Sequence, residues 1–240
     1  MHRIFISDLH LENPSEARFL RFQELMRLEA AAVDEIYILG DLVEMWVGDD
    51  DDTPIAHALR QVLSQAAQQC RVYLMHGNRD FLIKQPFADA TGVALIEDPH
   101  VLQPDTLLTH GDSLCIDDVP YQQIRAVLQG QAWQTEILEK PLSERQAIGK
   151  AMREQSNASN ANKASEIMDI NTDALQQLMQ ANSSSLIIHG HTHRPGLYDS
   201  DKGEVNRVVL GDWMRCGWLC RKDDANVRLE CFSLARRYGT

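Results

Sequence analysis

Positive charge is scarce in this sequence: 23 Lys and Arg stand against 35 Asp and Glu, a formal net charge of -12 over 240 residues. A surface of that sign repels polyphosphate backbones, which argues against general nucleic-acid binding unless basic groups or cations gather locally. Cysteine is sparse as well. Cys70, Cys115, Cys216, Cys220 and Cys231 are scattered and odd in number, which fits a reducing compartment and excludes a disulfide framework. Cys216, Cys220 and Cys231 lack a fourth ligand at finger-like spacing, so they read as ordinary thiols and not as a zinc site. No run approaches the ~20 apolar residues a membrane span needs, and residues 1–14 carry Arg3, Asp8, His10 and Glu12 where a signal peptide needs an apolar stretch. The expectation is a protein that stays in the cytoplasm, with attachment to a membrane surface left open. Repeats and low-complexity tails are absent too, and 44% hydrophobic with 24% charged residues is the composition of a globular chain.

What is present is a set of short β-branched or apolar runs at 3–6, 35–39, 71–75, 106–109 and 186–188, each succeeded by a polar turn. These read as buried strands. Between the first three lie helical spacings, such as Phe19, Phe22 and Met26, or Ile55, Leu59, Val62 and Ala66, so at least part of a parallel sheet is expected. From about 119 to 179 the pattern is helical only, with Pro141 breaking one helix before the next, and the polar stretch 156–162 reads as an interruption. Strands return at 206–210, 217–220 and 226–232. The chain therefore predicts an α/β core that carries a helical insertion.

The chemistry sits directly after the strands, in Asp8-x-His10, Gly40-Asp41, Gly77-Asn78-Arg79-Asp80, His110-Gly111-Asp112 and His189-Gly190-His191-Thr192-His193. Each alone has an ordinary reading, as a turn, a helix cap or a satisfied histidine. Together they are five potential ligand groups at strand ends, and in open α/β sheets those ends converge. His, Asp and Asn without Cys suit manganese, iron or zinc, and the donors are too many for one ion. Two divalent cations with Asp8 and Asp41 leave a pocket of about +2 that attracts phosphate and activates water, which points to hydrolysis at phosphorus.

In order and spacing these residues resemble the calcineurin-like metallophosphoesterases. The segments Ile6-Ser7-Asp8-Leu9-His10-Leu11, Tyr37-Ile38-Leu39-Gly40-Asp41-Leu42, His76-Gly77-Asn78-Arg79-Asp80-Phe81 and His189-Gly190-His191-Thr192-His193-Arg194-Pro195 are similar to the branch that cleaves UDP-2,3-diacylglucosamine in lipid A synthesis. That resemblance implies a four-layered α/β/β/α sandwich, with a core at 1–118 and 182–240 and a lid at 119–181. It implies two manganese ions, one held by Asp8, His10, Asp41 and His193, the other by Asp41, Asn78, His110 and His191, with Asp41 shared. Catalysis would fall to Asp41, Asn78, Arg79, His110 and His191. Substrate contacts would come from Asn78, Arg79, Asp118, Ser156, Asn160, Lys163 and His191. The products would be UMP and 2,3-diacylglucosamine 1-phosphate, and the protein would sit peripherally on the cytoplasmic face of the inner membrane without nucleic acid or an obligate protein partner. The likeness is least clear after Trp213.

Arg79 bears on the substrate independently. A guanidinium stays charged and cannot act as general acid, so the leaving group should need no proton; a phosphate monoester, with a second pKa of ~6, is such a group. The plainer reading pairs Arg79 with Asp80, Asp112 or another acid. Between Lys140 and Lys163 five basic residues (Lys140, Arg145, Lys150, Arg153, Lys163) face two acidic ones, Glu144 and Glu154, a local +3 that suits an anionic lipid. Taken singly, Arg145 and Lys150 read as a solvated helix face, and Trp133, Ile137 and Leu138 as helix packing. Two competing functions fit the same ligands: a dimetal hydrolase of a soluble nucleotide or phosphoprotein, and a scaffold of this fold without catalysis.

Overall fold

Strands that alternate two kinds of apolar residue, with both kinds buried, belong in the middle of a sandwich. β1 (Arg3–Ile6), β2 (Glu35–Leu39) and β3 (Arg71–Met75) do this. Ile4, Ile6, Ile36, Ile38, Val72 and Leu74 point to one core, while Phe5, Tyr37, Leu39 and Met75 point to another. The three strands are parallel and in register, so Phe5, Tyr37 and Tyr73 form one row across the sheet. Their rings stack at 5.1 Å and 4.6 Å. The computed structural model describes residues 1–160, 169–200 and 203–239, without the side chains of Asn157, Ser159 and Asn160. The expected contacts Lys163 and the Asn160 side chain therefore lie outside the described residues.

Helices α1 (Ala17–Glu29) and α2 (Pro54–Ala67) connect β1, β2 and β3, and α3 (Gln85–Thr91) leads into β4 (Ala94–Ile96). Thr53 caps α2 by accepting from the Ala56 N–H, with Pro54 at the first turn, where a missing N–H costs nothing. The second sheet contains β5 (His100–Leu102), β6 (Thr106–Thr109), β7 (Leu186–His189), β8 (Gly196–Asp199) and β9 (Val205–Val209) in the order β5-β6-β7-β9-β8. Strands β10 (Cys216–Lys222) and β11 (Val227–Ser233) return to the first sheet and complete its order, β11-β10-β1-β2-β3-β4.

Leu108, Ile188, Val208 and Leu210 of the second sheet pack on the Phe5–Tyr37–Leu39 face of the first. The first sheet's other face is covered by α1, α2 and α3. Leu107 and Ile187, on the far side of the second sheet, meet Leu175 of α7 (Thr172–Ala181). The architecture is thus the expected α/β/β/α sandwich. Among the described residues no helix is long and apolar enough to cross a membrane.

Between β6 and β7 run α4 (Val119–Leu128), α5 (Gln131–Leu138), α6 (Leu142–Asn160) and α7. Two expectations need correction here. α6 continues through 156–160, so the polar stretch does not interrupt the helix up to Asn160; weak local propensities yield to tertiary contacts, one of which Ser156 makes. Arg145 is not on a solvated face. It is 3% exposed, donates to the Val47 and Lys140 carbonyls and pairs with Asp50, which anchors α6 to the core. Lys150 is exposed as expected. Ile137 is buried in the first sheet's outer core, and Leu138 packs against it.

Candidate metal centre

All five strand-end groups open at one end of the sandwich, and the backbone there is unusual. Asp8, His10, Asp41, His191 and His193 have φ between 48° and 65°, the left-handed region that side chains seldom occupy. Hydrogen bonds hold the turns in place: Asp8 N–H to the Gly40 carbonyl at 3.1 Å and His10 N–H to the Asp41 carbonyl at 3.0 Å. Two glycines are sterically required. A Cβ on Gly77 would run into the Asp41 carboxylate, and one on Gly190 into Asp8 and Ser7.

The side chains form two adjoining groups. In the first, His10 Nε2 lies 3.4 Å from His193 Nε2, His193 Nε2 lies 3.4 Å from Asp8 Oδ1, and His10 Nε2 lies 3.8 Å from Asp41 Oδ2. In the second, the inward end of the Asn78 amide is 3.1 Å from His110 Nε2, 3.0 Å from His191 Nδ1 and 3.2 Å from Asp41 Oδ2, to which its nitrogen can donate, and Asp41 Oδ1 is 3.8 Å from His110 Nε2. Asp41 stands between the groups. Carboxylates, imidazoles and an amide gathered this closely are a donor set that fits divalent cations.

The electrostatics point the same way. Burial opposes charge on His110 and His193, yet the carboxylates of Asp41 and Asp8 push His110 up to about 9, and Asp212 with Asp8 pushes His193 up to about 10. Burial and then the neighbouring His110 hold His191 down at about 4. Asp8 is held well below the carboxylate range: burial opposes this, but its hydrogen bond and charge interaction with His193 outweigh it. Protons and cations therefore compete for one negative field.

Sequence reasoning missed the residues behind these groups. His193 Nδ1 is 3.0 Å from Asp212 Oδ2, and His10 Nδ1 is 3.0 Å from Glu44 Oε2; a carboxylate behind a histidine fixes the ring and raises its basicity. Asp212 had a signal, since Gly211-Asp212 comes after β9 as Gly40-Asp41 comes after β2. Glu44 had none, being one acid in an irregular loop. Asp80 is also structural: it accepts from the Leu42 and Gly77 N–H groups.

A cavity of about 290 Å³ lies over the cluster, and its walls include His10, Asp41, Asn78, Arg79, Asp118, Ser156, His191 and His193. Arg79 Nη2 donates to Ser156 Oγ at 3.3 Å. No carboxylate among the described residues pairs with Arg79, contrary to the plainer reading, while its backbone N–H donates to Asp41 Oδ1 at 2.9 Å. Asp118 caps α4 through the Tyr121 N–H and also faces the cavity. Cys216, Cys220 and Cys231 take part in no metal-binding group among the described residues.

Residues 1–195 match the family model for calcineurin-like phosphoesterases. The chain belongs to that family. Within it, this phosphoesterase is 42% identical over 237 residues to a UDP-2,3-diacylglucosamine hydrolase of Hahella chejuensis, covering 95% of this chain and 96% of the relative. Proteins of the same name from Coxiella burnetii (40%, covering 97% of this chain and 98% of the relative) and Marinobacter nauticus (41%, covering 91% and 92%) are similarly close. As a family member the chain is a hydrolase, and its Asp/His clusters are suited to divalent metal.

Proposed function

We propose that this phosphoesterase hydrolyses the diphosphate of UDP-2,3-diacylglucosamine. Water adds to the α-phosphorus, the bond from that phosphorus to the bridging oxygen breaks, and the products are UMP and 2,3-diacylglucosamine 1-phosphate. The observation that carries this reading is a junction of unlike cavities. The polar cavity meets two apolar ones, of about 70 Å³ and about 200 Å³, and Asn78 and Arg79 line all three. Phe81 and Met152 line both apolar cavities; Trp46, Trp133, Ile137 and Ile148 add to one, Pro120, Ile124 and Leu128 to the other. A substrate with phosphates at Arg79 and alkyl chains beside them matches that division, whereas a soluble nucleotide leaves the apolar cavities unused.

Asp8, His10, Asp41 and His193 would hold one manganese ion, and Asp41, Asn78, His110 and His191 the other. When bound, such a pair supplies a Lewis acid and a water of lowered pKa. Arg79 places permanent charge against the phosphate oxygens and leaves the departing phosphate monoester unprotonated. Ser156 and Asp118, with Asn160 and Lys163, would orient the sugar and phosphate, and residues 119–181 would act as a lid over the 1–118 and 182–240 core. Val119, Ile124 and Val127 on α4 are exposed, which supports peripheral contact with the cytoplasmic face of the inner membrane, where such a substrate resides.

UMP release from UDP-2,3-diacylglucosamine, measured with and without manganese, tests the reading. Asp41→Ala should abolish it. Met152→Glu should raise KM for the diacylated substrate by about tenfold or more, since a charge among alkyl chains is costly. An aryl phosphate cleaved as fast as the lipid would favour a soluble substrate, and tight metal binding without diphosphate cleavage would favour the scaffold.

A further inference from the structure

Helix α4 has no fully buried residue, and Val119, Ile124 and Val127 are 55%, 54% and 59% exposed. Apolar burial therefore does little to fix this helix, although its first turns wall the polar cavity. What fixes it is polar. Asp112, 1% exposed, sits two residues beyond His110 and receives three hydrogen bonds from α4 side chains. Tyr121 Oη donates to Oδ2 at 2.8 Å, Arg125 Nε donates to Oδ2 at 2.6 Å, and Arg125 Nη2 donates to Oδ1 at 3.4 Å. Gln122 Nε2 adds a bond to the Asp112 carbonyl at 2.8 Å. The Tyr121 ring lies 5.8 Å from the His191 ring at a 30° tilt, and His191 meets His110 edge-on at 5.1 Å.

We propose that Asp112 is a positioning residue for the hydrolytic reaction. Its carboxylate holds Tyr121 against His191, and so sets both the orientation of that imidazole and the wall between the polar cavity and the larger apolar one, which Tyr121 lines on both sides. A buried carboxylate bonded to a guanidinium and a phenol is strong and directional. It places an aromatic ring more accurately than loose apolar contact does, and small misplacements at a reacting centre cost rate heavily. The inference rests on the hydrolase reading for its kinetic consequence, but not for its geometry.

The experiment compares Asp112→Asn, Tyr121→Phe and the double variant with the wild type. Tyr121→Phe removes a single oxygen and keeps the fold testable if Asp112→Asn unfolds. Each single variant should lower kcat for UDP-2,3-diacylglucosamine by about tenfold with KM within about twofold, and the double variant should be no worse than the poorer single one, because both cut one tether. The His191 ring signals in nuclear magnetic resonance spectra of chelator-treated, histidine-labelled protein should move in both. Unchanged kcat, additive losses, or unmoved His191 signals would overturn the proposal. A wild type that does not cleave the substrate would instead sink the functional reading and leave the ring signals to decide the tether.

Discussion

At Asp8, His10, Asp41, His191 and His193 the backbone is left-handed, at a cost of about 1 kcal/mol or more per residue. Such a cost persists where surrounding contacts over-determine the turn, and here the contacts are the hydrogen bonds from Asp8 to Gly40 and from His10 to Asp41. The second carboxylates matter in the same way. Asp212→Asn leaves the His193 ring without its negative partner, so manganese affinity measured by titration calorimetry should fall by about tenfold to a hundredfold. The raised histidines dictate the pH response. His110 and His193, at about 9 and about 10 against an ordinary 6.5, stabilise the chelated fold fully below pH 6.5, and that contribution is lost as pH rises through 9 to 10. Melting temperature in chelator should therefore decline from pH 7 to 10, while manganese affinity rises as protons leave the same atoms.

Elements buried on both faces were the easiest to read. β1, β2, β3 and β6 lie where their apolar runs place them, because continuous Ile, Leu, Val and Tyr stretches have no solvent side. β4, β5 and β8 lie at sheet edges and are only partly buried, so no continuous apolar run marks them. The ligand groups were legible through position after strands. Asp112 and Glu44 were not, since their value comes from what folds behind them. The hidden role of Arg145 is another such case, and it has a measurable effect. Arg145→Ala strips the Val47 carbonyl and Asp50 of their donor, which should cost about 2 kcal/mol in urea unfolding; a change under about 0.5 kcal/mol would return the residue to the solvated class.

Across the whole molecule, the side chains of the two clusters are divided between the two sheets. Asp8, His10, Asp41 and Asn78 come from loops of the first, and His110, His191 and His193 from loops of the second. Ions at a thousand times their dissociation constant would add about 4 kcal/mol to the folded state. Chelation should therefore lower the melting temperature markedly, and added manganese should restore it. If melting is indifferent to chelator, the shared site is not bearing on both layers.

The junction at Asn78 and Arg79 has its own consequence for traffic. The two halves of a cleaved lipid–nucleotide would face different surroundings: the water-soluble half the polar cavity that His193 and Arg194 line, the greasy half the apolar cavities lined from α4 and α6. Departure would then be asymmetric, and the slower leaver would govern how soon another molecule could enter.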